Sequence, residues 1–158
     1  MLGVTVGTLE AGVIMISPAG FHFWDNRILH HYLMNETVLH VTEWDPSLVV
    51  FAYFVTPLNP TQGVSIKKLT VYYMDNGSGG NDYVYALLRR ADVLTGVMDT
   101  MATITTQGLS SSPTRLSRYT TSLTNKVVDN KTYAYTLTVI FPHNCSTAVE
   151  FYGAKIEW

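Results

Sequence analysis

Four of the five histidines lie close together in the sequence, interleaved with carboxylates, and these side chains are the ones best suited to bind a metal. They are His22, His30, His31 and His40, with Asp25, Glu36, Glu43 and Asp45 among or just after them. A zinc site needs three or four ligands that converge on one point. The adjacent pair His30 and His31 diverges on a strand or a helix, and the H-E-x-x-H spacing is absent. The sequence therefore predicts no metal site.

The carboxylates and serines form no recognisable catalytic set. Glycoside hydrolysis requires two carboxylates that face each other across a cleft. Glu43 and Asp45 would share a strand face only if the strand reached Asp45, and Pro46 ends it there. No G-x-S-x-G motif is present. The glycine-rich residues 77–80 lack the following helix of a phosphate-binding loop and predict a turn. We expect no catalytic residue, no cofactor and no enzymatic activity.

Aromatic side chains offer a different chemistry, because the apolar face of a sugar ring packs well on an aromatic ring. The candidate rings are Trp24, Trp44, Tyr72 and Tyr85. Asp75 and Asn76 lie near Tyr72 in the sequence and could hydrogen-bond sugar hydroxyls. Strands also favour aromatic residues for packing alone, so some of these rings are expected in the core. Carbohydrate binding is the alternative function that the sequence supports.

Four N-x-S/T sequons occur, which is more than chance predicts for this composition. Their asparagines are Asn35, Asn76, Asn130 and Asn144. These are candidate glycosylation sites in a host that glycosylates secreted proteins.

The composition favours a β-protein that works outside the cell. Of the 158 residues, 47% are hydrophobic and 12% aromatic, which is enough for a core, but only 14% are charged. Average soluble domains carry roughly 25% charged residues. Neutral polar side chains supply the surface instead, with 20 Thr, 10 Ser and 8 Asn. We therefore expect an extracellular, cell-surface or virion-surface location.

Charge and hydropathy argue against several classes of partner. A net charge of −2 does not suit nucleic acid or an anionic membrane. The longest apolar run, residues 48–55, is far shorter than the ~20 residues of a membrane-spanning helix. Residues 1–5 lack a basic region, so no signal peptide is predicted there. Cys145 is the one cysteine, which excludes an intrachain disulfide.

The hydrophobic pattern has a period of two along most of the chain, which predicts β-strands. Residues 133–141 alternate regularly, and the turn-rich residues 75–82 join two strands in a hairpin. The last strand changes phase at Gly153, which predicts a β-bulge. Only residues 25–34 show helical spacing. We expect one all-β domain over residues 1–158, an antiparallel β-sandwich of jelly-roll type with nine or ten strands and at most one short helix.

Several segments resemble a group of bacterial β-sandwich domains that are often exported. Residues 63–76 match the pattern G-x-x-I-x-x-L-T-V-Y-Y-x-D-N, and residues 152–158 match Y-G-x-x-I-E-aromatic. Residues 14–22 are similar to the opening of these domains. The chain departs from the group at residues 57–60, where two prolines replace a single Leu-Pro. The resemblance implies a β-sandwich, and it implies no activity because no reaction or ligand is established for the group.

Two strand-like apolar segments favour self-association as the main function. Val4 and Val6 lie in one of them, and Trp158 lies in the other. Such segments suit a subunit interface, although ordinary strands inside one sandwich explain them equally well. With few charges to oppose association, we expect a structural homo-oligomer or polymer, such as a filament subunit, coat or capsid-decoration protein.

Overall fold

The computed structural model describes residues 11–23, 31–34, 38–43, 51–77, 80, 82–109, 112–142, 145 and 148–158. This part of the chain contains eleven strands and one short 3-10 helix at Pro18–Gly20. The strands are β1 (Val13–Ile16), β2 (His22–Phe23), β3 (His31–Met34), β4 (Leu39–Glu43), β5 (Ala52–Leu58), β6 (Lys68–Asp75), β7 (Tyr85–Asp92), β8 (Met98–Thr105), β9 (Ser112–Thr120), β10 (Tyr133–Phe141) and β11 (Val149–Glu157).

The strands form two antiparallel sheets. The first sheet has the order β3-β4-β11-β6-β9, with β1 also paired to β11. The second sheet has the order β2-β5-β10-β7-β8. The predicted all-β sandwich is confirmed, with eleven strands where nine or ten were expected. The predicted hairpin around residues 75–82 is wrong, because β6 lies in the first sheet and β7 in the second, so this segment connects the two sheets. No helix among the described residues is both long enough and apolar enough to cross a membrane.

The helical expectation for residues 25–34 is wrong where it can be compared with the structure. His31–Met34 form strand β3, which pairs with β4. The helical spacing of Tyr32 and Leu33 is overridden because the backbone of this segment pairs with a neighbouring strand. Residues 24–30 lie outside the described part of the chain.

Alternation along the strands builds one hydrophobic core between the sheets. In β10, Tyr135, Leu137, Val139 and Phe141 are buried, as the period of two predicts. Phe54 and Phe141 meet edge to face within the second sheet, with ring centres 5.9 Å apart. Aromatic rings therefore pack against each other in the core. The outer face of each sheet is not part of this core and can contact a ligand or another molecule.

The predicted bulge at Gly153 is confirmed. The register between β11 and β6 shifts between Phe151 and Gly153, so both Tyr152 and Gly153 lie opposite Tyr72. Gly153 has a φ of 129°, and a Cβ placed there would lie 2.5 Å from the carbonyl oxygen of Ile16. Only glycine allows both this backbone conformation and the close approach of β1. The extra residue of the bulge brings the apolar side chains before and after it to the same face of β11, so that Phe151 and Ala154 are both buried.

Trp158 packs within its own chain. Its N–H and carbonyl group exchange hydrogen bonds of 3.1 and 3.2 Å with Gly12, and its indole covers the place where a Gly12 side chain would be. The ring also contacts the hydrophobic core. These contacts favour the interpretation of this segment as a strand inside the sandwich. Val4 and Val6 lie outside the described residues.

Candidate functional site

The outer face of the second sheet carries a long depression, here called the outer groove. Its floor is β10, whose outward side chains Thr136, Thr138 and Ile140 are flanked by taller side chains on both neighbouring strands. One part has a volume of about 460 Å³ and the adjoining part about 210 Å³. Tyr53 lines both parts, so they form one continuous surface. One wall consists of Phe51, which precedes β5, and Val55 in β5. The opposite wall consists of residues of β7 and β8: Tyr85, Leu87, Arg89, Ala91 and Met98.

Register explains why these residues meet. Tyr53 and Tyr85 both lie opposite Ile140, one on each side of β10, while Thr136 lies opposite Arg89. Since directly opposite residues in a sheet point to the same face, side chains distant in sequence are brought to one surface. Thr138 and Ile140 are buried although they face outward, because the walls rise above them.

Rings stand at one end of the outer groove. The rings of Phe51 and Tyr53 meet edge to face with centres 6.3 Å apart, and those of Tyr83 and Tyr85 meet edge to face at 5.3 Å. Each groove tyrosine is therefore supported by a neighbouring ring. Phe51 is 42% exposed, so this end presents aromatic surface to solvent.

Polar groups lie at the other end. Thr136, Thr138 and Arg89 line it, and among the described residues no carboxylate lies along either part. The Arg89 Nη1 atom lies 3.7 Å from the Met98 sulfur, which orients the guanidinium. Hydroxyl groups and a guanidinium can form hydrogen bonds with the hydroxyl groups of an uncharged ligand.

The structure does not bring the sequence-predicted binding residues to one surface. Tyr72 lies on the outer face of the first sheet, opposite Ser117. Asp75 points into the sandwich and is buried, and this burial raises its pKa, although a hydrogen bond from the Gly77 backbone opposes the shift. Asn76 is exposed at the start of the following loop. Trp24 and Trp44 lie outside the described residues.

Of the two candidate rings that the structure describes, Tyr72 and Tyr85, Tyr85 lies in the outer groove. Tyr53, Arg89 and the threonines of β10 were missed. A signal was available, because Thr136, Thr138 and Ile140 share the face of β10 opposite its core residues. The pairing of β10 with both β5 and β7 was needed to show which side chains flank them.

Two of the four sequon asparagines, Asn76 and Asn130, lie within the described residues. Asn76 is exposed, and its backbone N–H donates to the Ala148 carbonyl oxygen at 3.1 Å. The Asn130 side-chain amide donates to the Pro60 carbonyl oxygen at 2.7 Å. Asn130 is also exposed, so the two asparagines differ in this side-chain hydrogen bond and not in exposure. Asn35 and Asn144 lie outside the described residues.

No alternative reactive centre stands out in the described part of the chain. There, no three His, Cys, Asp or Glu side chains are placed to hold a metal ion. Cys145 is buried, and this burial raises its pKa to about 12. Its thiol therefore stays protonated at neutral pH, and the thiolate required of a nucleophile is not available.

Comparisons with known proteins give a likeness of fold. No protein-family model matches the chain, and a search of curated proteins finds no significant match. Among solved structures, a family 29 carbohydrate-binding module is similar with a TM-score of 0.48 and 9% identity, covering 94% of this chain and 87% of that chain. The family 11 carbohydrate-binding module from Clostridium thermocellum, in complex with a β-1,3-1,4-mixed-linked tetrasaccharide, has a TM-score of 0.49 and 12% identity over 99% of this chain and 93% of that chain.

Proposed function

We propose that the protein is a non-catalytic carbohydrate-binding module whose ligand, a neutral glycan chain, lies in the outer groove. The observation that carries the proposal is the combination of Tyr53, Tyr85 and Phe51 with a threonine floor on one open surface. The two structural likenesses are too distant to add weight to it. We also propose an extracellular location, which suits the low charge and the hydroxyl-rich surface.

Sugar chains match this surface because they combine apolar C–H faces with hydroxyl groups. The rings of Tyr53 and Phe51 offer stacking surfaces, and the phenol hydroxyl of Tyr85 offers a hydrogen bond. Thr136 and Arg89 supply a hydroxyl and donors farther along. The groove is open at its sides, so it suits a segment of a polymer better than a fully enclosed small molecule.

Removal of one groove ring tests this function. We expect Tyr53→Ala to weaken binding to a neutral polysaccharide about tenfold, because it removes the ring common to both parts of the groove. Affinity electrophoresis in gels containing mixed-linkage glucan, xylan or mannan, followed by calorimetry with oligosaccharides of the best ligand, measures the loss.

Tyr119→Ala is the matched control, since Tyr119 is 63% exposed on an edge strand of the other sheet. It should bind as the unmodified protein does. If no neutral glycan retards the intact protein, or if the two variants lose affinity equally, the outer groove is not a glycan site.

A second candidate function, self-association, is favoured by the turn between β7 and β8. Its four apolar side chains Val93, Leu94, Val97 and Met98 are exposed by 56%, 92%, 63% and 48%. The turn is well ordered by hydrogen bonds, because Asp92 Oδ1 accepts the N–H groups of Leu94 and Thr95, both at 2.9 Å. Met98, the first residue of β8 after this turn, also lines the outer groove. A second copy could therefore pack its own turn against the groove in a two-fold, self-complementary contact.

Sedimentation equilibrium of the Leu94→Asp variant tests this second function. The unmodified protein should dimerise in a concentration-dependent manner, and the variant should remain monomeric because a carboxylate would be buried in the contact. Addition of a groove-binding oligosaccharide should also dissociate the dimer. A monomer at millimolar concentration of the unmodified protein would exclude self-association through this turn.

A further inference from the structure

The outer face of the first sheet holds another groove, on the opposite side of the sandwich from the outer groove. It has a volume of about 380 Å³ and lies between β1 and the outward side chains of β6, β9 and β11. Met15 forms one wall, Tyr72, Tyr152 and Arg115 form the other, and the backbone at Gly153 forms the floor. This surface is here called the Arg115 groove.

The Arg115 guanidinium is held in place by two rings. Its central carbon lies 4.7 Å from the centre of the Tyr152 ring and 5.5 Å from the centre of the Tyr72 ring. The two rings are neighbours because Gly153 pairs with Tyr72, and the bulge in β11 places Tyr152 next to Gly153. A guanidinium resting on aromatic rings keeps its N–H donors directed away from them, which prepares it to bind a planar anion.

The charge of Arg115 has no counter-charge at ion-pair distance within the described residues. The nearby cations differ in this respect, because Lys68 and Lys155 both reach Glu157, at 3.4 and 3.0 Å. Glu150 accepts a hydrogen bond from the Tyr152 hydroxyl, which raises the pKa of that phenol. Among the described cations that line this groove, Arg115 is therefore available for an external anion.

We infer that the Arg115 groove binds an acidic sugar, with the carboxylate of a uronic-acid unit on the Arg115 guanidinium and the apolar face of its ring against Met15 and the tyrosine rings. This site is separate from the proposed neutral-glycan site. A guanidinium and a carboxylate match as two parallel charge-assisted hydrogen bonds. The apolar wall explains why a sugar acid, rather than a small inorganic anion, is the better occupant: it offers both an apolar ring face and a charge.

The test compares polygalacturonate with the same polymer after methyl esterification, which keeps the rings and removes the negative charge. We expect the unmodified protein to bind the acid form and to bind the ester at least tenfold more weakly. Arg115→Ala should weaken binding to the acid form about 30-fold. Arg115→Lys should lose part of the affinity, since it keeps the charge but not the planar pair of donors.

Lys126→Ala is the control, because it removes one exposed positive charge from a loop away from the Arg115 groove. It should leave binding to polygalacturonate unchanged. Equal binding of acid and ester, no binding of any uronic-acid polymer, or full affinity in Arg115→Ala would overturn the inference. Displacement of the polymer by sulfate as effectively as by glucuronate would reduce the groove to a general anion site and would also overturn it.

The two variants distinguish a failure of the acidic-sugar site from a failure of the neutral-glycan site. Tyr53→Ala lies on the other sheet and should leave polygalacturonate binding intact, whereas Arg115→Ala should leave neutral-glycan binding intact.

Discussion

The Gly153→Ala variant is expected to lose about 3 kcal/mol of its free energy of unfolding, although it adds a single methyl group. Two causes act together. At a φ of 129°, alanine is far from any region that L-residues favour. The added Cβ would also lie 2.5 Å from the Ile16 carbonyl oxygen, which is backbone and cannot move without shifting β1. Urea denaturation followed by tryptophan fluorescence measures the change.

Gly108→Ala shows the cost of a positive φ where no clash occurs, at a φ closer to the left-handed region than that of Gly153. Gly108 has a φ of 73°, and a Cβ at this position would have no atom within 4 Å. Its substitution should cost about 1 kcal/mol, which is the backbone penalty alone. If both variants lost the same stability, the close approach of β1 to the bulge would not matter to the fold. An unchanged urea slope would show that the change lies in stability and not in the compactness of either state.

Truncation of Phe151 to alanine should lower the free energy of unfolding by about 4 kcal/mol. Phe151 is fully buried in β11, and its ring meets that of Phe21 edge to face with centres 5.4 Å apart. Removal leaves a cavity that β11 cannot close, because this strand is paired on both sides with β4 and β6. Native domains are stable by only about 5–15 kcal/mol, so the loss is a large fraction of the total.

The same chemical change at Phe51 is the control. Phe51 is 42% exposed and precedes β5, so Phe51→Ala should cost about 1 kcal/mol or less. Differential scanning calorimetry of both variants checks the contrast. Similar melting temperatures for the two variants would contradict the position of Phe151 at the centre of the core.

Patterns within one strand were the part of the fold most accessible from the sequence. The alternation of β10 and the phase change at Gly153 each depend on neighbouring residues, and both agree with the structure. The strand at His31–Met34 lies in residues 25–34, where Ile28, Leu29, Tyr32 and Leu33 follow helical spacing in the sequence. Pairing with β4 decides its conformation, and pairing is not local information.

The candidate site was harder to predict for the same reason. Tyr72 and Asp75 are three residues apart, and in a regular strand such residues face opposite sides, so parity alone could have separated them. Tyr53, Tyr85 and Arg89 come from two strands that are joined only through β10. Their meeting depends on strand order and register across the second sheet, which the spacing of residues along the chain does not contain.

The two grooves lie on opposite outer faces of one rigid sandwich, with the shared core between them. Ligands bound to them could not touch each other, and neither would block the other. A single copy that binds one polymer on each face would act as a cross-link, joining a neutral chain to an acidic one. In a mixed polysaccharide matrix such a molecule gains retention from both attachments, since release of one end leaves the other bound and the first close to its ligand.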